Sequence, residues 1–287
     1  MIDLPPLESF YDATQGTEIL LPPELASRYG ELRFPRHPDR PHVISNFVST
    51  LDGVVSLGIP GQSGGGEISG FNQHDRMVMG ILRAVSDAVV VGAGTLRAIP
   101  RHLWTAEYIY PPLAQAYQRL RATVAKAEPP LNVVVTAQGE IDLAWPVFRS
   151  GDVPSLIVTT ERGARHFLER ALPPTVRVKA VGTSTEITAR QVLDAITSIR
   201  PSSLVLVEGG PKLLGDFFAE GCLDELFLTL APQVAGRDGM ADRPGIVAGK
   251  NFAPERPLWG TLVSLKRADS HLFLRYAFPT SRDRRQR

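Results

Sequence analysis

Ser203-Leu204-Val205-Leu206-Val207-Glu208-Gly209-Gly210-Pro211-Lys212-Leu213-Leu214 is the stretch on which the fold turns. It opens as a continuous apolar run rich in Val and Leu, the pattern of a strand buried on both faces. Gly209-Gly210 then breaks the run and leaves the backbone open to close approach. Pro211 stands where a helix would begin, a position at which its missing N–H costs nothing. Leu213, Leu214, Phe217 and Phe218 recur at helical spacing, and Gly221 stands where a glycine ends a helix. Glu225 to Leu230 reads as the next strand, so the stretch predicts a βαβ unit with a glycine turn at a helix N-terminus. Free N–H groups and the helix dipole make such a turn a seat for a phosphate or pyrophosphate. The plain alternative is a tight turn with no ligand.

Working outward, the same grammar repeats. His42 to Thr50 is a β-branched strand that runs into Leu51-Asp52-Gly53. Asp87-Ala88-Val89-Val90-Val91-Gly92-Ala93-Gly94-Thr95 is a buried strand followed by a second glycine turn, a second possible phosphate cradle. Strands are also predicted at Asn132 to Thr136, Ser155 to Thr160 and 176–181, with hydroxyls at the ends of the first two. Helices are predicted from Asn72 to Ser86, with Asp75 in the first turn, and over 188–199. Residues 105–128 read as a polar helical insert with Pro111-Pro112 and Pro129-Pro130 as its breakers, and Ser56 to Gly70 as a glycine-dense loop, either disordered or a mobile lid over a site. Residues 1–41 read as a Pro-rich N-terminal arm with a short helix around 23–29, residues 42–279 as the main domain, and residues 280–287 as a basic disordered tail. Two late strands, Thr261 to Lys266 and His271 to Phe278, precede that tail.

Apolar strands alternating with helices predict an α/β fold, a mainly parallel sheet covered on both faces. Ligands of such sheets bind beyond the C-terminal ends of the strands. Asp52, Gly92 to Thr95, Thr136, Thr159-Thr160 and Glu208 to Lys212 all fall there.

The composition removes several classes. The 287 residues carry a net charge of +1, which gives no basic field for nucleic acid or a membrane surface. No apolar run approaches a bilayer-crossing length, and the start, Met1-Ile2-Asp3-Leu4-Pro5-Pro6, is unlike a signal peptide. The single cysteine, Cys222, excludes an internal disulfide and a multi-thiolate metal site, and its neighbours Phe218 and Leu223 suggest a packed core thiol. No histidine pair shows metal spacing. A cytoplasmic protein with no bound metal is the expectation.

Four motifs in order then carry a resemblance: Val48-Ser49-Thr50-Leu51-Asp52-Gly53, the Asp87 to Thr95 segment, Val207-Glu208-Gly209-Gly210-Pro211, and Leu223-Asp224-Glu225-Leu226 with Ala231-Pro232 and Gly236. Together they resemble the reductase domain of the bifunctional riboflavin-biosynthesis deaminase–reductase, a domain with the dihydrofolate reductase fold. The match spans roughly residues 42–278, and Asn46 to Gly53 with His74-Asp75-Arg76 look closest to stand-alone members of that family.

The resemblance implies NADPH as cofactor. Its pyrophosphate would lie between Gly92, Ala93, Gly94 and Thr95 on one side and Glu208, Gly209, Gly210, Pro211, Lys212 and Leu213 on the other. It also implies the adenosine 2′-phosphate near Thr136, the nicotinamide by Thr50 and Asp52, and a homodimer. Arg97, Arg162 and Lys212 are candidates for the 2′-phosphate. One departure bears on the substrate: where the family continues its glycine turn with an acidic pair before a proline, this chain has Leu96-Arg97-Ala98-Ile99-Pro100. No segment of these 287 residues resembles the deaminase half.

Three functions follow as expectations. The first is an NADPH-dependent 5-amino-6-(5-phosphoribosylamino)uracil reductase, the second a dihydrofolate or pterin reductase, and the third a dinucleotide-binding protein without catalysis. The two catalytic candidates are Asp75 and Asp52. As in dihydrofolate reductases, a carboxylate at the start of the Asp75 helix could pair with an amino group and ring nitrogen of the acceptor, or could merely complement the helix dipole. Asp52 reads equally as an Asp-Gly turn residue, Glu208 as a sheet-end acid bonded to backbone N–H groups, and His74 as a proton relay or a surface histidine.

Overall fold

The computed structural model describes residues 4–279 apart from Pro60 and Ser184. The expected basic tail at 280–287 lies outside the described residues. Among the described residues there are twelve strands: β1 Glu8–Asp12, β2 Thr17–Ile19, β3 Leu32–Phe34, β4 His42–Ser49, β5 Ala88–Gly92, β6 Leu131–Thr136, β7 Ser155–Thr159, β8 Val176–Ala180, β9 Leu204–Gly209, β10 Glu225–Leu230, β11 Thr261–Ala268 and β12 His271–Ala277. All but β2 and β3 join one sheet in the order β1-β11-β12-β10-β4-β9-β5-β6-β7-β8.

From β10 to β8 every neighbour is parallel. The sheet turns antiparallel at its other end, where β12 pairs with β10, β11 with β12, and β1 with β11. A mostly parallel sheet with helices on both faces is therefore present, with an antiparallel margin built by the last two strands and a strand from the N-terminal segment.

The alternation of side chains along each strand decides which face each residue serves. In β9, Leu204 and Leu206 enter one core with Met77, Ile81 and Leu82 of the helix Gln73–Val85. Val205 and Val207 enter the other with Val192 and Ile196 of the helix Ala189–Ile199 and Leu214 and Phe217 of the helix Pro211–Ala219. The last of these helices begins with Pro211 and is closed by Gly221, whose φ of 62° is the left-handed value that favours glycine. Cys222 is a buried core thiol, and burial pushes its pKa up to about 11.

Two segments are more ordered than a loop reading allows. Residues 4–41 supply β1, the two-stranded sheet of β2 and β3, and the helix Pro23–Tyr29, with Leu25 and Leu32 fully buried. The Ser56 to Gly70 segment is loop only in its first part, because Gly65–Ser69 is helical and Ile68 is fully buried beside Val48, Val54 and Ala231. The expected insert at 105–128 holds the helices Ala106–Ile109 and Ala114–Thr123.

Candidate active site

Parallel pairing puts the C-terminal ends of β4, β5, β6, β7, β9 and β10 along one edge. The two glycine turns meet there. β5 ends at Gly92, directly before the helix Ala93–Ala98, and Val91 lies opposite Gly209 of β9. The N–H of Gly210 donates to the hydroxyl of Thr95 at 3.0 Å, a bond that ties one turn to the other. Contact between them is close enough to demand glycine: a Cβ at Gly209 would fall 2.7 Å from Thr95 Oγ1 and 2.8 Å from its Cγ2. Gly210 itself has φ +41°.

Neither following helix has a side-chain cap, so the first N–H groups of each remain available. Ala93 and Leu213 turn their side chains into the core, and Gly94 has nothing within 4 Å of its Cβ position. What faces outward at both turns is backbone. Lys212 and Arg97 are exposed at or just after the two turns, and Arg162 is exposed in the short helix that follows β7.

Thr50 and Asp52 are engaged with their own surroundings. The Thr50 hydroxyl donates to Asp52 Oδ1 at 2.6 Å and accepts from Val54 N–H at 2.9 Å. Asp52 also accepts from Ala235 N–H at 3.1 Å and Gly236 N–H at 2.8 Å. The Thr50 hydroxyl and these backbone donors hold its carboxyl down to about 2. Both oxygens are occupied, so Asp52 is a latch that pins the Ala231 to Arg237 loop to the end of β4. Thr136, buried at the end of β6, accepts from Gly139 N–H at 3.1 Å.

Glu208 corrects the sequence reading. The pleat of β9 turns it toward the face of Leu204 and Leu206, where Arg83 meets it in a fork: Nε to Oε1 at 2.8 Å and Nη2 to Oε2 at 2.6 Å. The two side chains are 2% and 4% exposed. The Glu208 carboxylate is therefore held by a guanidinium and not by backbone N–H groups. Arg83 goes on to donate to the carbonyls of Leu103 and Thr105. His102 Nε2 lies 3.0 Å from Arg83 Nη2, and burial together with that cation pushes the imidazole pKa down to about 2, leaving it neutral. The partner lies 125 residues away in sequence, and no local pattern signals it.

Asp75 begins the helix Gln73–Val85, whose cap is Asn72 accepting from Asp75 N–H at 3.0 Å. The carboxyl is 3% exposed, and burial raises its pKa against the lowering effect of the Thr229 and Ser69 hydroxyls. His271 of β12 braces this corner, with Nε2 3.0 Å from Ser69 O and Nδ1 3.2 Å from Asn72 Nδ2. One neutral tautomer, protonated on Nε2, satisfies both contacts. His74 is buried with Nε2 2.9 Å from Pro5 O, so it serves the N-terminal segment and does not face Asp75 as a relay.

A cavity of about 1520 Å³ opens at the opposite edge, where β4, β5 and β9 begin, lined among others by His37, Arg40, His42, Asp87 and Ser203. Its size does not make it the reactive site. Ligands of parallel sheets gather at the C-terminal ends of strands, and the glycine turns are there.

The fold defines a class: an α/β protein with a mostly parallel, doubly covered sheet whose two glycine turns lie side by side at the C-terminal ends of the strands. Comparison with known proteins gives the family. The chain belongs to the family described as the RibD C-terminal domain, matched over residues 41–266. It is 23% identical over 219 residues to a 2,5-diamino-6-ribosylamino-4(3H)-pyrimidinone 5′-phosphate reductase of Aquifex aeolicus, covering 75% of this chain and 85% of that one. It is 24% identical to the riboflavin biosynthesis protein RibD of the same organism, covering 69% of this chain and 48% of that longer protein. Among solved structures, a pyrimidine reductase-like protein from Corynebacterium diphtheriae superposes with a TM-score of 0.64 at 19% identity, covering 83% and 92% of the two chains. A deaminase/reductase from Thermotoga maritima gives 0.60 at 20%, covering 83% and 57%. These likenesses agree with the fold read from the motifs.

Proposed function

We propose that this chain is an NADPH-dependent reductase of the riboflavin pathway, acting on a phosphoribosylaminopyrimidine. One observation carries the reading: in a member of this family, the turns after β5 and β9 lie side by side and present backbone outward. A dinucleotide diphosphate fits such a pair. Gly92 and Gly94 leave room for it, and the N–H groups of Lys212 and Leu213 at the start of the Pro211–Ala219 helix face it with the positive end of the helix dipole.

When bound, the nicotinamide supplies the hydride, and the chain's own residues bind, orient and exclude water. Thr95 keeps the two turns in register through the Gly210 N–H. The Asp52 latch holds the Ala231 to Arg237 loop against the end of β4, beside the expected nicotinamide position. The segment ending in the helix Gly65–Ser69 covers the Asp75 corner through Ser69.

Asp75 is the group assigned to the acceptor's heterocycle, which reaches it by displacing the Ser69 hydroxyl. A 2-aminopyrimidinone presents an amino group beside a ring N–H, the same edge that a pterin presents. Asp75 therefore fits both and favours neither. It does favour a diaminopyrimidinone, the acceptor in the Aquifex relative's name, over the corresponding uracil, which carries oxygen at that position. A homodimer and a cytoplasmic setting remain part of the proposal. Among the described residues no helix is long and apolar enough to cross a membrane.

The test is turnover with NADPH and with NADH on the diaminopyrimidinone ribosylamino phosphate, its uracil counterpart and dihydrofolate. The expected result is NADPH oxidation with the diaminopyrimidinone above the other two. Activity on dihydrofolate alone would replace the reading by a pterin reductase. Cofactor binding with no turnover on any of them would leave a binding protein.

A further inference from the structure

At the edge of the sheet away from the glycine turns, three side chains from separate parts of the chain converge. His37 comes from the segment before β4, His42 is the first residue of β4, and Asp224 immediately precedes β10. Their candidate donor atoms lie within 4.8 Å of one another. His37 Nε2 is 3.0 Å from Asp224 Oδ1, His42 Nδ1 is 3.3 Å from His37 Nε2, and His42 Nδ1 is 3.7 Å from Asp224 Oδ2. A tetrahedral zinc with bonds of about 2.0–2.2 Å separates its ligand atoms by roughly 3.4 Å. The 3.0 Å between His37 Nε2 and Asp224 Oδ1 and the 3.3 Å between the two imidazole nitrogens lie close to that value, while the 3.7 Å from His42 is to the other carboxylate oxygen.

Lone-pair accounting explains which oxygen is available. A carboxylate offers about four acceptor sites. Arg40 takes one on each oxygen, with Nη2 to Oδ1 at 2.6 Å and Nη1 to Oδ2 at 2.7 Å. Val43 N–H takes the second on Oδ2 at 2.7 Å. The remaining site on Oδ1 is the one His37 reaches, so a cation there replaces a proton and leaves the other three bonds in place.

His42 supplies the independent second observation. The side chain is 4% exposed and its Nε2 has no hydrogen-bond partner, although Glu225 Oε1 lies 3.3 Å away. An imidazole bound through Nδ1 carries its proton on Nε2, facing a carboxylate, which is the usual outer arrangement around a histidine ligand. Ligation through Nδ1 is compatible with this arrangement, because it leaves the Nε2 proton directed at Glu225. His37 and His42 line the cavity of about 1520 Å³, so water can supply a fourth ligand.

We propose that His37, His42 and Asp224 form a site for a tetrahedral divalent cation such as zinc, separate from the reductase cleft. The cation would clip the N-terminal segment to the starts of β4 and β10, a structural role that neither touches the strand-end cleft nor depends on the activity proposed for it. The neighbouring Arg40 cation opposes the metal's charge, so affinity should be lower than at a thiolate site.

The experiment uses the full chain without an affinity tag, titrated with Co²⁺ as a spectroscopic probe and with Zn²⁺ in competition. One Co²⁺ per chain is expected, with the intense visible absorption of four-coordinate cobalt, displaced by Zn²⁺, and with a rise in Tm. His37→Ala, which replaces a partly exposed side chain, should weaken binding by more than about 100-fold, beyond what loss of an outer-shell partner costs. Cys222→Ser should leave binding unchanged, which separates this site from capture by the thiol. His42→Ala should behave as His37→Ala; if it does not fold, His37→Ala decides alone. Absence of saturable one-to-one uptake, a six-coordinate spectrum, or equal uptake by folded His37→Ala would overturn the site.

Discussion

Arg83 and Glu208 set the sharpest energetic test, because the pair is bidentate, nearly dry and attached to the strand that carries the Gly209 turn. Removing one member leaves the other charge buried, a change that costs about 3–5 kcal/mol. The two single variants should not be equal. Arg83→Leu leaves the Glu208 carboxylate with no cation, whereas Glu208→Leu leaves Arg83 still bonded to the carbonyls of Leu103 and Thr105. Arg83→Leu should therefore fall at the upper end of that range and Glu208→Leu at the lower. The double variant replaces the pair by apolar groups and should regain most of the loss, since buried ion pairs are often no better than well-packed hydrophobic substitutes. Urea unfolding of all four proteins gives the cycle: with single losses of about 5 and about 3 kcal/mol and a double loss of about 2 kcal/mol, the coupling energy is about 6 kcal/mol, larger than residues in ordinary contact show. Against a total stability of about 5–15 kcal/mol the single losses are large. Single variants that each cost under about 1 kcal/mol, or a double variant that simply sums them, would refute the buried pairing.

Three further outcomes follow from the same geometry. Gly209→Ala puts a Cβ 2.7 Å from Thr95 Oγ1, so it should separate the two turns and raise the Kd for NADPH at least about tenfold while shifting Tm by only a few degrees, read by calorimetric titration and thermal unfolding. Asp75→Asn should lower kcat on the pyrimidine and leave cofactor affinity unchanged; equal turnover would end its assigned role. Asp52 has a lowered folded pKa of about 2, so its contribution is fully present above the unfolded value near 3.8 and is lost as pH falls from there toward 2. Proteolysis or hydrogen exchange should show the Ala231 to Arg237 loop loosening in that window. Asp52→Asn should already be loosened at neutral pH, and a wild-type loop that stays protected at pH 2 would contradict the latch.

The parts of this protein that were legible in its sequence are those set by neighbours along the chain. Val and Leu runs marked the strands from β4 to β10 within a residue or two, Pro211 and Gly221 marked the two ends of one helix, and the two glycine turns were visible as breaks after apolar strands. Pairing across the fold was not legible. β1 is an exposed edge strand, Glu-Ser-Phe-Tyr-Asp, held by backbone bonds to β11, so no buried alternation announces it. The segment Ser56 to Gly70 looked like loop throughout because of its glycines, yet burial of Ile68 orders its second half as a helix. Glu208 shows a related limit. Its place at a strand end pointed to a ligand, whereas the pleat turned it toward Arg83, a partner distant in sequence. The His37, His42 and Asp224 cluster shows the same limit, since only the parallel pairing of β4 with β10 brings the third member to the other two.

The most direct measurement is the structure of the protein with NADPH bound. The diphosphate should lie between the Gly92 to Thr95 turn and the Gly210 to Leu213 helix start, with the nicotinamide at the end of β4. A dinucleotide found in the cavity at the opposite edge of the sheet, or bound without contact to either glycine turn, would contradict the account.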